Sequence, residues 1–171
     1  MKMYMTSGTA DFMETVRQKH KKHEIFIMHG EGNTLLLHES DKKSVFATPR
    51  NFEVIQSNGT LEQKGFFALH NVPVSDESRL LFEQRYMKQQ ALFEDASGLI
   101  AYRFLRPIKH ETYILLTQWA GPASYERWQQ TDSYTQLFGG ESSTGIANTQ
   151  ILFMSKPYVT KYTAKPLEEN V

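Results

Sequence analysis

The chain contains no cysteine, which excludes disulfide bonds, thiolate metal centres and cysteine nucleophiles. It also lacks an excess of either charge, because 19 basic and 19 acidic side chains cancel. A net charge of zero argues against a surface that binds nucleic acid. No apolar run approaches the roughly 20 residues of a membrane-spanning helix, and the first residues lack the apolar segment of a signal peptide. We therefore expect a cytoplasmic protein that binds neither nucleic acid nor membranes.

Several catalytic motifs are absent as well: there is no HExxH, no glycine-rich phosphate loop and no GxSxG. His20 and His23 are three residues apart, but lysines surround them, which favours a solvated surface over a metal site. Three other histidines fall at predicted strand ends, where we expect them to face solvent: His29, His38 and His110. None of these residues assigns a reaction.

Apolar runs and turn residues alternate regularly along the first 62 residues. They predict a small β-rich domain with a strand from Met1 to Thr6, a helix from about Ala10 to Lys21 and four further strands. These strands are the segments EIFIMHG, TLLLHES, SVFATP and NFEVIQSNG. The polar stretch 57–65 is expected to connect this domain to the rest of the chain.

Residues 63–171 predict a second domain with the order β-α-β-β-α-β, the ferredoxin-like arrangement of the α+β class. Its helices are expected after Ser75 and after Gly121-Pro122. Its strands are GFFALHNVPV, LIAYRFLRPI, TYILLTQWA and KPYVTKYTA. Two helices cover one face of such a sheet, so the first domain or a second copy must cover the other. We expect a dimeric α+β barrel type, formed by a monomer with pseudo-dimeric domains or by a homodimer.

Asn71 is the unusual residue of the first strand of this second domain. Period-2 alternation places it on the same face as Phe67 and Leu69. A buried amide without partners costs about 1–3 kcal/mol, so Asn71 needs hydrogen bonds. Two interpretations stay open: a structural amide that bonds to the backbone, or a directional donor that projects into a cavity beneath the helices.

The first helix of the second domain carries an aromatic stripe. Phe82, Tyr86, Gln89 and Phe93 recur at helical spacing and are expected to face the sheet, with Arg85 beside them. An ordinary core explains the two phenylalanines. The polar atoms of Tyr86 and Gln89 require a partner or a ligand, and Arg85 would suit an anionic group at a pocket mouth.

The second helix carries Tyr125 and Trp128 on one face. A tryptophan in such a position is usually part of a core. Here an indole, the amide of Asn71 and the phenol of Tyr86 are all expected to point into one gap between helices and sheet. Their combination therefore favours a binding pocket.

The second domain resembles the Isd-type heme-degrading monooxygenases of the antibiotic-biosynthesis-monooxygenase superfamily. The resemblance is carried by Asn71, by Arg85-Tyr86, by the strand GLIAYRFL and by the helical segment YERWQQTDSY. Together with the first domain, the chain is similar to two-domain members such as the Bacillus-type heme monooxygenases and the staphylococcal signal-transduction protein TRAP. The resemblance implies heme as both cofactor and substrate.

Roles for individual residues follow from this resemblance. Asn71 matches the family's catalytic asparagine, which donates a hydrogen bond on the oxygen side of the heme. Trp128 matches the catalytic tryptophan, which presses on the porphyrin. The family's axial histidine follows that tryptophan by ten residues, where this chain has Phe138. A phenyl ring cannot bind iron, so another group must serve as the ligand.

Tyr86 is the preferred iron ligand and a third catalytic residue by resemblance, because it matches an aromatic pocket position and a phenolate can ligate heme. Tyr134 and the loop from Gly139 are alternatives. His70 is expected to point away from the pocket, since it is next to Asn71 on the strand. The residues expected to contact heme are Phe82, Arg85, Tyr86, Tyr134 and Phe138.

The implied reaction is oxidative opening of the porphyrin ring with O₂ and electrons from a reductase or a small-molecule reductant. It would release iron and a biliverdin- or staphylobilin-like product. The departure at Phe138 leaves a second interpretation: a non-catalytic, TRAP-like signalling or heme-binding protein that has lost axial ligation. A third is a monooxygenase of the same superfamily that acts on another small hydrophobic molecule.

Overall fold

A computed structural model describes residues 1–89, 91–94, 96–138 and 156–167. The strands are β1 (Lys2–Gly8), β2 (Ile25–Gly30), β3 (Thr34–Ser40), β4 (Arg50–Asn58), β5 (Gly65–Pro73), β6 (Leu99–Ile108), β7 (Thr112–Trp119) and β8 (Tyr158–Ala164). The helices are α1 (Ala10–Lys19), α2 (Arg79–Met87, after a 3-10 turn at Asp76–Ser78), α3 (Ala91–Glu94), α4 (Pro122–Gln129) and α5 (Asp132–Phe138). Among the helices in these ranges, none has both the length and the apolar character needed to cross a bilayer.

The eight strands form a closed antiparallel barrel in the order β1-β3-β2-β8-β5-β7-β6-β4, and β4 pairs with β1 to complete it. Each half of the chain contributes four adjacent strands. Within each half the order is the same: β4-β1-β3-β2 and β8-β5-β7-β6. The ferredoxin-like α+β fold predicted for the second half is confirmed, and the first half repeats its strand order. The two halves meet at β2–β8 and at β4–β6.

The segment SVFATP was predicted to be a strand, and this prediction is wrong. The backbone between β3 and β4 forms turns and bends, and Phe46 is buried in a small apolar cluster with Tyr4, Met13 and Leu36. Pro49 has no backbone donor for a sheet ladder. The loop therefore uses its phenylalanine to cover the outer face of β1–β3, beside α1, rather than to extend the sheet.

Two large apolar clusters lie on opposite faces of the second half's strands. The first fills the barrel interior and includes residues of both halves, such as Met5, Leu37, Phe67 and Leu116. The second lies between the outer face of the sheet and helices α2–α5. Both faces of these strands are therefore apolar. The boundary predicted at residue 62 stays a prediction, since the halves share the interior cluster.

The connection between the halves is held by two glutamine side chains. Gln118 accepts from the Glu62 amide at 3.1 Å and donates to the carbonyls of Glu62 and Lys64 at 2.7 and 2.9 Å. Gln63 accepts from the Ile27 amide at 2.9 Å and donates to its carbonyl at 2.7 Å. The polar stretch predicted as a connection is thus tied to both halves of the barrel.

One ion pair joins the two halves through the barrel interior. Arg103 lies on the same face of β6 as Ala101 and Leu105, which face the interior. Its Nε donates to Glu39 Oε2 on β3 at 2.6 Å. The same guanidinium donates to the carbonyls of Asn58 and Tyr102 at 3.1 and 2.8 Å. Its donors therefore have partners on β3, β4 and β6.

Candidate functional site

Helices α4 and α5 place aromatic side chains against strand β5. Gly121 precedes α4 and Pro122 occupies its first turn, where a missing amide hydrogen is tolerated. Trp128 is buried, and its ring lies 5.1 Å from Trp119 and 5.0 Å from Tyr134, centroid to centroid. Its Nε1 makes no hydrogen bond within the part of the chain that the structure describes. The indole thus faces the sheet, as the sequence predicted.

His70 lies directly beneath these helices. Its neighbours on the same face of β5, Phe66, Ala68 and Val72, belong to the helix-facing cluster. The imidazole is 3% exposed and stacks on Phe138, with ring centroids 4.2 Å apart and planes inclined by 10°. The expectation that His70 points away from the pocket is therefore wrong.

Asn71 lies on the other face of β5, in the barrel interior. Its cross-strand neighbour Ile114 belongs to the interior cluster. Its Nδ2 donates to the Leu69 carbonyl at 2.9 Å, to Thr160 Oγ1 at 3.2 Å and to the Tyr158 carbonyl at 3.4 Å. The expectation that Asn71 and Trp128 point into one gap is wrong, because the Phe67–Leu69 face belongs to the interior. Asn71 instead links β5 to β8.

Tyr86 is buried in the aromatic cluster beneath α2. Its ring stacks on Phe104 at 4.0 Å and lies 6.1 Å from Phe82. Burial raises the pKa of its phenol well above the usual value, and Tyr102 adds to this effect. The hydroxyl finds no hydrogen-bond partner among the described residues. Tyr86 and Phe82 are therefore core residues in this conformation, while Arg85 is exposed.

Replacing Tyr86 by phenylalanine is expected to raise the free energy of unfolding by about 1 kcal/mol, because a buried, unpaired hydroxyl is removed. Tyr113→Phe is the matched control, since the Tyr113 hydroxyl donates to Glu83 and its loss should be destabilising. Chemical denaturation of the three proteins measures both changes. If Tyr86→Phe lost as much stability as Tyr113→Phe, the Tyr86 hydroxyl would have a hydrogen-bond partner in the folded chain, contrary to the structure.

A pocket of about 280 Å³ opens beside His70 and Phe138. Two of the five residues expected to contact heme line it, Tyr134 and Phe138, whereas Phe82, Arg85 and Tyr86 do not. The described residues that line it are His70, Val72, Tyr134, Phe138, Lys156, Pro157, Tyr158 and Val159. The loop from Gly139, considered above as a source of an iron ligand, lies outside the described residues.

The ring of His70 is neutral at physiological pH. Burial, and then the positive charge of Lys161, lower its pKa from 6.5 to about 3. Tyr125 Oη lies 3.3 Å from His70 Nε2 and accepts from Gln129 Nε2 at 3.3 Å. Burial raises the pKa of the Tyr125 phenol, which therefore keeps its proton and can donate it to Nε2. The neutral imidazole carries one proton, so one of its nitrogens can donate and the other can accept.

His20, His23 and His38 are neighbours in the first half of the chain. His38 is buried rather than solvent-facing, and its ring lies 5.3 Å from His23 and 6.1 Å from Phe46. His20 lies 6.5 Å from His23. Within the ranges that the structure describes, no group of three or more histidine, aspartate or glutamate side chains could hold a metal ion.

A sequence signal for His70 did exist. Phe66, Ala68, His70 and Val72 form the second face of the alternating strand, and that face is as apolar as the face of Asn71. The imidazole is the exception there, as the amide is on the other face. Only the position of the helices shows which of these two faces of the strand lies at the pocket.

Comparison with known proteins agrees with this architecture. A family model described as antibiotic biosynthesis monooxygenase, abbreviated ABM, matches residues 59–139, which contain β5–β7 and α2–α5. This segment is similar to ABM domains. The signal transduction protein TRAP of Staphylococcus epidermidis is 25% identical over 142 residues, covering 83% of this chain and 85% of that protein. TRAP of Staphylococcus aureus is 24% identical over 141 residues, covering 82% and 84%.

Two solved structures share the fold across almost the whole chain. One, a major regulator of staphylococcal pathogenesis, has a TM-score of 0.86 at 20% identity and covers 97% of this chain and 100% of its own. The other, a heme-degrading enzyme from Listeria monocytogenes, has a TM-score of 0.72 at 16% identity and covers 96% and 100%. At these identities the similarity concerns the fold alone.

Proposed function

We propose that this chain binds heme in the pocket beside His70 and is a heme-degrading monooxygenase. The proposal depends mainly on one observation: a buried, neutral imidazole lies at a pocket whose other described walls are largely aromatic and aliphatic. An apolar pocket with few polar groups suits a flat hydrophobic molecule. The fold shared with the Listeria heme-degrading enzyme supports the same assignment.

The lining residues are compatible with heme in their chemistry. Tyr134 and Phe138 offer aromatic contact, and Lys156 provides a cation for a propionate group. Lys161 Nζ lies 5.7 Å from the centroid of the Tyr125 ring and adds positive charge nearby. The pocket volume of about 280 Å³ is just below the range of about 300–1,000 Å³ for small-molecule sites. Entry of a porphyrin therefore requires Phe138 to move off the His70 ring.

Bound heme would supply the oxygen-activating centre and would itself be cleaved, with O₂ as the oxidant and an external reductase or small-molecule reductant as electron donor. The residues of the chain would bind and orient it. Trp128, packed on Trp119 and Phe93, forms a rigid wall behind Tyr134. Val72 and Val159 would add aliphatic contacts.

A hemin titration tests the proposal. We expect the protein to bind one hemin with a distinct Soret band, and ascorbate or a reductase to bleach that band in air while iron is released to a chelator. His110→Gln is the matched control, because His110 is half-buried outside the pocket and its replacement should leave hemin affinity unchanged. A spectrum identical to that of free hemin at equimolar protein would contradict the proposal.

A second candidate function is non-catalytic signalling of the TRAP type. It is favoured by the Phe138 ring, which lies flat on His70 where the family has its axial histidine. The curated relatives described above are named as signal transduction proteins. Stable hemin binding without bleaching under reductant would indicate a heme-binding protein, and absence of hemin binding would favour signalling without heme.

A further inference from the structure

On the basis of the proposed function, we infer that this pocket recognises the flat ring system of its ligand by stacking on His70, and that Phe138 occupies the stacking position until a ligand displaces it. The two rings lie 4.2 Å apart, centroid to centroid, and their planes are inclined by 10°. A planar ligand on the imidazole would adopt the same near-parallel arrangement. The site would therefore accept planar conjugated molecules such as porphyrins, with or without a bound metal.

The imidazole of His70 offers a ligand its flat face rather than a nitrogen atom. Nε2 lies 3.3 Å from the hydroxyl of Tyr125, which is buried and does not line the pocket. Nδ1 is buried as well. The rings of Trp128 and Tyr134 are inclined to the imidazole by 82° and 58°, so Phe138 alone among the described residues stacks near parallel on it. The face that Phe138 covers is therefore the part of His70 that a ligand can contact.

Of the two stacked rings, that of Phe138 is the one able to move. His70 lies within β5, where it pairs with Leu115 on β7 and with Val159 on β8. Phe138 is the last residue of α5, a helix of seven residues, and its side chain is half-buried. The last carbonyls of a helix have no partner within that helix, so this end can shift at a lower cost than the middle of a paired strand. A ligand can thus replace the phenyl ring while the imidazole beneath it stays fixed.

The surroundings of the stacked pair suit a planar ligand that carries an acidic group. Tyr134 lines the pocket from the same helix as Phe138, and its ring lies 5.3 Å from the phenyl ring. Lys156 also lines the pocket and is exposed, so its ammonium group would pair with a carboxylate of the ligand. Burial keeps His70 uncharged, so the imidazole needs no counter-ion when a ligand covers it. The site therefore combines a neutral stacking surface with one cation.

Competition between Phe138 and a ligand has a measurable consequence. A ligand that binds only the open form has an apparent affinity that is lowered by the fraction of molecules in that form. If the position on His70 is open in about one molecule in ten, removal of the phenyl ring raises the affinity about tenfold. Removal of the imidazole acts in the opposite direction, because the stacking contact itself is lost.

Binding of metal-free protoporphyrin IX, followed by its fluorescence, tests the inference without any contribution from iron. We expect Phe138→Ala to bind it about tenfold more tightly than wild type, and Phe138→Leu to bind it more tightly by a smaller factor. His70→Leu should bind this porphyrin and hemin about three- to tenfold more weakly, by similar factors, whereas His70→Phe keeps a flat ring and should stay close to wild type. Phe12→Ala is the matched control, because Phe12 is exposed on α1 outside the pocket.

The outcomes separate this inference from the proposed function. If neither Phe138 variant binds the metal-free porphyrin more tightly than wild type, or if His70→Leu loses affinity for hemin alone, the inference is wrong. Binding of hemin without binding of the metal-free porphyrin would also overturn it, although the proposed function can still hold. If the affinities change as expected but reductant does not bleach bound hemin, the inference stands and the proposed function fails. If neither wild type nor the Phe138 variants bind either porphyrin, both are wrong.

Discussion

Replacing Arg103 by methionine is expected to lower the free energy of unfolding by about 3 kcal/mol or more, because Glu39 loses its charged partner in a largely buried position. Glu39 is only 21% exposed, and the Arg103 side chain is 7% exposed. The methionine also leaves the carbonyls of Asn58 and Tyr102 without this donor. For a chain of this length the loss corresponds to a decrease in Tm of about 6 °C or more.

Lys64→Met is the matched control for this prediction. Lys64 also forms an ion pair, with Glu62 at 3.2 Å, but both side chains are about half exposed. Exposed pairs contribute about 1 kcal/mol at most. The double variant Arg103→Met/Glu39→Gln should recover part of the loss, since no unpaired carboxylate remains. Equal stability of Arg103→Met and Lys64→Met would show that the interior pair contributes nothing to joining the two halves.

The order of elements in the second half could be predicted from the sequence because each apolar run is bounded by turn residues. The strand–helix–strand–strand–helix–strand order fixed the ferredoxin-like fold, and Trp128 was correctly expected to face the sheet. The repeat of the same strand order in the first half was not predicted. Its second crossover has no helix, and the apolar segment around Phe46 covers the sheet as a loop.

The sequence does not show which face of β5 lies under the helices, and that face determines which residues form the candidate site. Alternation correctly separated Asn71 from His70, but it does not say which face lies under the helices. In this barrel the interior buries one face of β5 and the helices cover the other, so Phe67 and Leu69 are as apolar as the residues beside His70. An amphipathic strand with one solvated face would have removed the ambiguity.

Tertiary packing determines which of the other predicted site residues line the pocket, and local sequence patterns do not show that packing. Tyr134 and Phe138 line the pocket, whereas Phe82 and Tyr86 pack into the core beneath α2. Helical spacing predicts that Phe82 and Tyr86 face the sheet, but it does not predict whether they reach the pocket. Which of them reach the pocket depends on where α2 and α5 cross the sheet, and that is set by contacts between residues far apart in the chain.

Lowering the pH from 8 to 5 is expected to reduce the free energy of unfolding by about 2 kcal/mol through His70 alone. In the folded chain the pKa of His70 is about 3, because burial and the charge of Lys161 oppose protonation, and its ordinary value is 6.5. Between these values the unfolded chain binds one more proton than the folded chain. The stabilising contribution is therefore complete above about pH 6.5 and is lost as the pH falls towards 3.

The difference between wild type and His70→Gln isolates this effect, because the glutamine does not titrate. His38 and His110 also have pKa values lowered by burial, and they destabilise the chain at low pH in the same direction in both proteins. We expect urea denaturation at pH 8 and pH 5 to show a fall in stability about 2 kcal/mol larger for wild type than for the variant. If the free energy of unfolding fell equally in both proteins between pH 8 and pH 5, His70 would be protonated in the folded state at pH 5. A neutral imidazole could then not be assumed at the pocket. A larger fall in wild type would establish that the buried imidazole at the pocket is neutral in the folded chain at pH 5.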